Sequence, residues 1–150
     1  RGMSAKEIYQ EVSALTAHSH ASFILDTLEF MHAGGRCSAV TALGANLLRL
    51  KPCIEVDNLR GGAMSVGKKY RGSLEKVLPQ YTRDKLADRA DLVLDRVFIT
   101  HSGISQNYID LVRSTIQQIA DFREICVTRA SCTISCHCGP NTLGVLFLTK

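Results

Sequence analysis

The segment from Arg96 to Asp121 constrains the fold of this chain more than any other. Arg96 to His101 has a near-continuous apolar centre, the pattern of a strand buried inside a sheet. Ser102-Gly103 breaks it, and Ile109, Val112, Ile116 and Ile119 then step by three, four and three residues. That stepping is one face of a helix from about Gln106 to Asp121. A strand followed by a helix with a single apolar face buries both by laying the helix on the sheet, which is the logic of α/β layers.

The remaining segments fit the same plan. Ser4-Ala5-Lys6-Glu7 is a capping box, and Ile8, Val12 and Leu15 follow at helical spacing, so a helix is expected from about Ala5 to Thr16. Ala21 to Asp26 reads as a short buried strand. Thr27 to Ala33 reads as one or two helical turns stopped by Gly34-Gly35. A helix over Ala39 to Arg49 carries Val40, Leu43, Leu47 and Leu50 as its stripe, and Pro52 prevents its continuation. Cys53 to Asp57 and Ala63 to Arg71 read as a hairpin joined by Asn58-Leu59-Arg60-Gly61-Gly62. A further helix begins near Ser73, and Pro79 either kinks it or starts a new segment. Glu124 to Thr128, Thr133 to His137 and Leu143 to Thr149 read as strands. Helices alternating with strands in some places, and hairpins in others, predict a single α/β domain with a mixed β-sheet flanked by helices.

Composition narrows the class of function. At 150 residues the chain suits one domain, and 45% hydrophobic with 21% charged residues is ordinary for a globular one. No apolar run approaches the ~20 residues of a membrane span, so no integral membrane segment is expected. The opening Arg1-Gly2-Met3 reads as an internal position, and a piece of a longer protein is expected. The net charge of +4 is modest. Its densest cluster, Lys68-Lys69-Tyr70-Arg71, reads as a solvated strand end, so no nucleic acid partner is implied. No glycine loop with the required Lys-Ser/Thr occurs, which argues against ATP binding by the chain itself.

The candidate site is Cys136-His137-Cys138-Gly139-Pro140-Asn141-Thr142-Leu143-Gly144. A histidine beside a Gly-Pro-Asn turn projects from a stiff scaffold, where functional groups gather. Read as a strand, the segment puts Cys132, Ile134, Cys136 and Cys138 on one face and His137 on the other. That arrangement does not suit a shared metal ion, and none of the six cysteines forms a Cys-x-x-Cys knuckle. Small buried thiols in a reducing cytoplasm are the expectation. His101, ahead of Ser102-Gly103, has no nucleophile elbow beside it and reads as structural.

Four segments, taken in order, resemble the C-terminal domain of the DegV family of bacterial fatty-acid-binding proteins. They are Asp26-Thr27-Leu28-Glu29 with Gly34-Gly35-Arg36, Leu50-Lys51-Pro52-Cys53-Ile54, Lys69-Tyr70-Arg71-Gly72, and the His137 turn. The resemblance covers residues 4 to 149. One departure is Asn141, where the family usually has the second glycine of Gly-Pro-Gly; Asn tolerates the left-handed backbone such a turn needs. The resemblance implies a DegV-like C-terminal domain over residues 1–150, with the N-terminal lipid-binding domain lying outside this chain. It implies a long-chain fatty acid as ligand, no cofactor, no catalysis by the chain itself, and a separate ATP-dependent fatty acid kinase that phosphorylates the carboxylate. By the same resemblance, His137 and Arg71 contact the head group. Arg36 contacts the head group or the partner, and Gly139, Pro140 and Gly144 shape the turn. Self-association of the isolated domain through an uncovered apolar surface is a further expectation. Two rival readings remain beside it: a hydrolase using His137 with Cys136 or Cys138, and a structural or interaction domain that binds no lipid.

Overall fold

The computed structural model describes residues 2–35 and 50–150. The helix expected over Ala39 to Arg49, together with Arg36 and Cys37, lies outside the described residues. Helix α1 (Ala5–Leu15) starts at Ser4 with the expected capping box: the Ser4 N–H donates to Glu7 Oε2 at 2.7 Å, and the Glu7 N–H donates to Ser4 Oγ at 3.4 Å. Strand β1 (Ser19–Ile24) leads to the short helix α2 (Glu29–Ala33), which ends at Gly34-Gly35, with Gly35 at φ 70°. Strands β2 (Leu50–Asp57) and β3 (Ala63–Arg71) form the predicted hairpin, and helix α3 (Leu74–Leu86) follows. Pro79 sits inside α3 without ending it. The carbonyl it leaves without an intrahelical donor is that of Glu75, an exposed residue, where water can take the place of the lost N–H.

Strand β4 (Leu92–His101), helix α4 (Gln106–Ile119) and strand β5 (Glu124–Arg129) make the β-loop-α unit read from the sequence, with β4 and β5 parallel. Helix α5 (Cys132–Cys138) and strand β6 (Leu143–Thr149) close the chain. The six strands lie in the order β3-β2-β1-β6-β4-β5, and every neighbouring pair except β4–β5 is antiparallel. The mixed sheet follows from one crossover helix among hairpin-like pairings.

Side-chain alternation gives the sheet two unlike faces. On one, Ile24, Cys53, Val97, Ile99, Leu143, Val145 and Phe147 meet Val77, Leu78 and Tyr81 of α3 and Val112 and Ile116 of α4 in the main core. On the other, Leu25, Met31, Ile54 and Cys138 form a smaller cluster under α2 and α5, with Phe23, Leu28 and Val66 against it. Beyond that cluster, among the described residues, the second face carries side chains that are half-buried or exposed. Cys126, Phe98, Leu146, Ala21, Val56 and Met64 are successive cross-strand partners, one per strand, across the whole sheet. All six are apolar and none is buried. Five strand spacings make this row roughly 24 Å long.

Helix α1 buries none of its residues, and Ile8, Val12 and Leu15 are 48%, 59% and 47% exposed. Its apolar stripe was legible in the sequence, but nothing in the described fold covers it. No helix among the described residues is long and apolar enough to cross a membrane.

Candidate functional site at one edge of the sheet

The segment Thr133 to His137 is helical, which corrects the strand reading. Cys, Thr and Ile suit a strand by propensity, but the local signals win. Ser131 caps the helix by accepting from the Ile134 N–H at 3.4 Å, and Gly139 ends it at φ 76°. A rotation of about 100° per residue replaces the two-sided alternation. Cys138 turns inward to Leu25 and Met31, and His137 turns toward Gly34, while Cys132 and Cys136, one turn apart, are exposed. Among the described cysteines only Cys53 and Cys138 are buried, so the expectation of uniformly buried thiols is also corrected. Burial pushes the Cys138 thiol up, the reverse of what a nucleophilic thiol needs.

His137 lies close against α2. A Cβ at Gly34 would stand 2.7 Å from His137 Nδ1, so the ring occupies the space that a side chain would take. Nδ1 is buried and has no hydrogen-bond partner among the described residues. Gly139 likewise leaves no room for a Cβ, because the Phe30 ring of α2 fills the site. Gly144 sits where a Cβ would come within 2.6 Å of the Ser22 carbonyl oxygen, at the β1–β6 pairing. Pro140 is exposed at the apex. Gly139 and Gly144 thus stand where a side chain would clash, Gly139 under Phe30 and Gly144 against β1.

The turn is held from two sides. From the end of β4, Ser102 Oγ donates to the Gly139 carbonyl, the Ser102 N–H donates to Thr142 O at 3.1 Å, and Gly103 O accepts from the Asn141 N–H at 3.0 Å. From the end of β1, Asp26 Oδ2 accepts from Asn141 Nδ2 at 3.0 Å. Asp26 also forms an ion pair with Lys51, whose Nζ reaches the Asp26 carbonyl at 2.9 Å. The Asp26 and Lys51 side chains are only 25% and 16% exposed. The first, second and fourth landmark segments of the sequence thus meet at one edge, and opposite charges on Asp26 and Lys51 were the signal available for it.

The other sequence-predicted residues are placed differently. Arg71 ends β3 opposite Leu50 and is exposed, at the same edge but three strand spacings from β6, roughly 14 Å from the turn. The structure does not bring it to His137. Lys68, in the same basic run, pairs with Asp84 at 2.6 Å. His101 accepts from the Gly103 N–H at Nδ1, 3.1 Å, and burial followed by the charge of Arg129 holds its pKa below the ordinary histidine value. Arg36 lies outside the described residues.

Toward the opposite edge, a cleft of about 240 Å³ is lined by His20, Ser22, Glu55, Lys85, Arg89 and Phe147 among others. Its charges answer one another, Lys85 with Glu55 at 2.5 Å and Arg89 with Asp91 at 2.7 Å. Among the described residues, the buried side-chain polar atom left without a partner is His137 Nδ1, not one in that cleft.

Comparison with known proteins places this architecture. A family model described as "uncharacterised protein, DegV family" matches residues 1–150. A DegV domain-containing protein of Deinococcus radiodurans is 30% identical over 147 residues, covering 97% of this chain and 50% of that relative. A DegV family protein from Eubacterium eligens, solved loaded with heptadecanoic acid, superposes with a TM-score of 0.81 at 22% identity, over 99% of this chain and 52% of that one. The Streptococcus pneumoniae fatty acid kinase (Fak) B3 protein, loaded with linoleic acid, gives 0.78 at 17% identity, over 99% and 51%. The chain spans about half the length of the relatives it matches. With the family model matched from end to end, the chain belongs to the DegV family.

Proposed function

We propose that this chain is the C-terminal half of a long-chain fatty-acid carrier, which holds the acyl chain and presents its carboxylate to a separate ATP-dependent fatty acid kinase. The observation that carries this reading is the unburied apolar row across all six strands, continuous through Phe23 with the cluster beneath α2 and α5. Each methylene taken from water onto such a face contributes about 0.8 kcal/mol, so a long chain supplies most of the affinity. Its carboxylate is costly to bury without a donor, and the polar edge at His137 provides one. Nδ1 is buried against Gly34, and in this reading the other ring nitrogen, Nε2, meets the carboxylate.

Two structural neighbours carry heptadecanoic and linoleic acid, and the second is a fatty acid kinase component, which supports the same assignment. In the carrier the chain itself performs no catalysis, and nucleotide and phosphoryl transfer belong to the partner. Arg71 and Arg36 serve the outer rim, where an acyl phosphate brings additional negative charge. The remaining half of the polypeptide covers the open sheet face and α1. The five described cysteines are free thiols, which suits the reducing cytoplasm in which we place the carrier.

Mass spectrometry of an organic extract of the full-length protein tests the ligand: a stoichiometric long-chain fatty acid is expected, and its absence would overturn the reading. His137→Ala in that protein is expected to reduce acyl-phosphate production more than lipid binding. Equal loss of both, or loss of neither, removes His137 from the head group.

A further inference from the structure

The geometry points to Asn141 as the positioning residue that latches the His137 turn to Asp26, and its functional consequence rests on the carrier reading above. At φ 61° the backbone of residue 141 is left-handed, a conformation that glycine adopts more cheaply than any other residue. What asparagine adds to the turn is its side-chain amide. That amide spans 115 residues of sequence to donate to Asp26 Oδ2 at 3.0 Å. Lys51 holds the other carboxylate oxygen and the Asp26 carbonyl, so the acceptor is itself fixed in place. Partial burial of Asp26 and Lys51 strengthens the arrangement relative to a solvated pair.

Without the latch, the hydrogen bonds among the described residues that tie the turn to another element run to the β4 end, through Ser102 and Gly103. The site side would then depend on apolar packing: Cys138 on Leu25 and Met31, and Phe30 over Gly139. His137, two residues before Gly139, would follow any opening of that contact. The latch therefore sets where the imidazole stands relative to an arriving carboxylate, although Asn141 need not touch the lipid.

The test uses the full-length polypeptide with three variants. Asn141→Gly keeps the left-handed turn and removes the amide, while Asn141→Asp keeps the shape and sets a carboxylate against Asp26. Asp26→Asn combined with Asn141→Asp exchanges donor and acceptor and rebuilds the bond in reverse. Losing one hydrogen bond to a charged acceptor is expected to speed amide exchange at Gly139 by about tenfold in both single variants. The exchanged pair should return it to near the parent rate, a rescue that a purely local turn role at 141 would not show. With the partner kinase, acyl-phosphate formation should fall and recover in the same order at unchanged lipid content. Unaltered exchange in Asn141→Gly, or no recovery in the exchanged pair, overturns the latch. If exchange follows the expected order while the parent protein carries no fatty acid, the latch stands and the carrier reading falls.

Discussion

Tyr81→Phe is the sharpest test of how the sheet beneath the site is held together. Tyr81 is fully buried in α3, and its hydroxyl reaches the β1–β6 pairing. It donates to the Ser22 carbonyl at 2.7 Å, accepts from the Val145 N–H at 2.9 Å, and lies 2.9 Å from Ser22 Oγ. Ser22 and Val145 are register partners, so one oxygen bridges the two strands where they face each other. Burial pushes the Tyr81 pKa well up, and the hydroxyl stays a neutral donor throughout the usable pH range. Removing it orphans a buried backbone donor and a buried backbone acceptor, each worth about 1–3 kcal/mol. Partial closure of the two strands offsets some of this, leaving a loss of about 2–4 kcal/mol. At about 2–4 °C per kcal/mol for a chain of this size, the melting temperature should fall by about 4–16 °C. Urea unfolding followed by circular dichroism measures the loss, and amide exchange at Val145 locates it. Ser22→Ala is the control, because it removes only the side-chain hydroxyl and should cost under about 1 kcal/mol. A Tyr81→Phe protein as stable as its parent, or a Ser22→Ala protein equally damaged, would refute the bridge.

Two further expectations follow from the same geometry. Gly34→Ala forces the His137 ring away from a Cβ that would stand 2.7 Å from Nδ1; overpacking of this kind costs about 1–3 kcal/mol, and the imidazole resonances of His137 should shift while those of His20 do not. His20 and His101 both have pKa values held below the ordinary one, by burial first and then by Arg89 and Arg129 respectively. The unfolded chain therefore takes up protons first on acidification. Stability is full above about pH 6.5 and declines below it. The urea midpoint should be lower at pH 5.5 than at pH 7.5, and the difference should shrink when both histidines are replaced by glutamine.

The sequence alone determined the elements whose signals are local. The Ser4–Glu7 capping box, the three-four-three stripe of α4, the Gly34-Gly35 stop and the Ala63–Arg71 strand were legible because each depends on residues within one or two turns of one another. The mixed α/β class followed from their order. Helix α5 was misread because β-type residues outweighed a serine cap and a glycine stop over seven positions, too few for periodicity to arbitrate.

Tertiary structure decided the rest, because it depends on pairings between distant residues. Strand order brought Asp26, Lys51 and Asn141 together and set Arg71, at the same edge, three strand spacings from β6, a separation no spacing in the sequence encodes. The open apolar row likewise exists only through register, since its six members come from six strands. Composition could supply a histidine beside a glycine-proline turn. Only the approach of α2 to α5 set the His137 ring against Gly34 and buried its Nδ1 without a partner among the described residues.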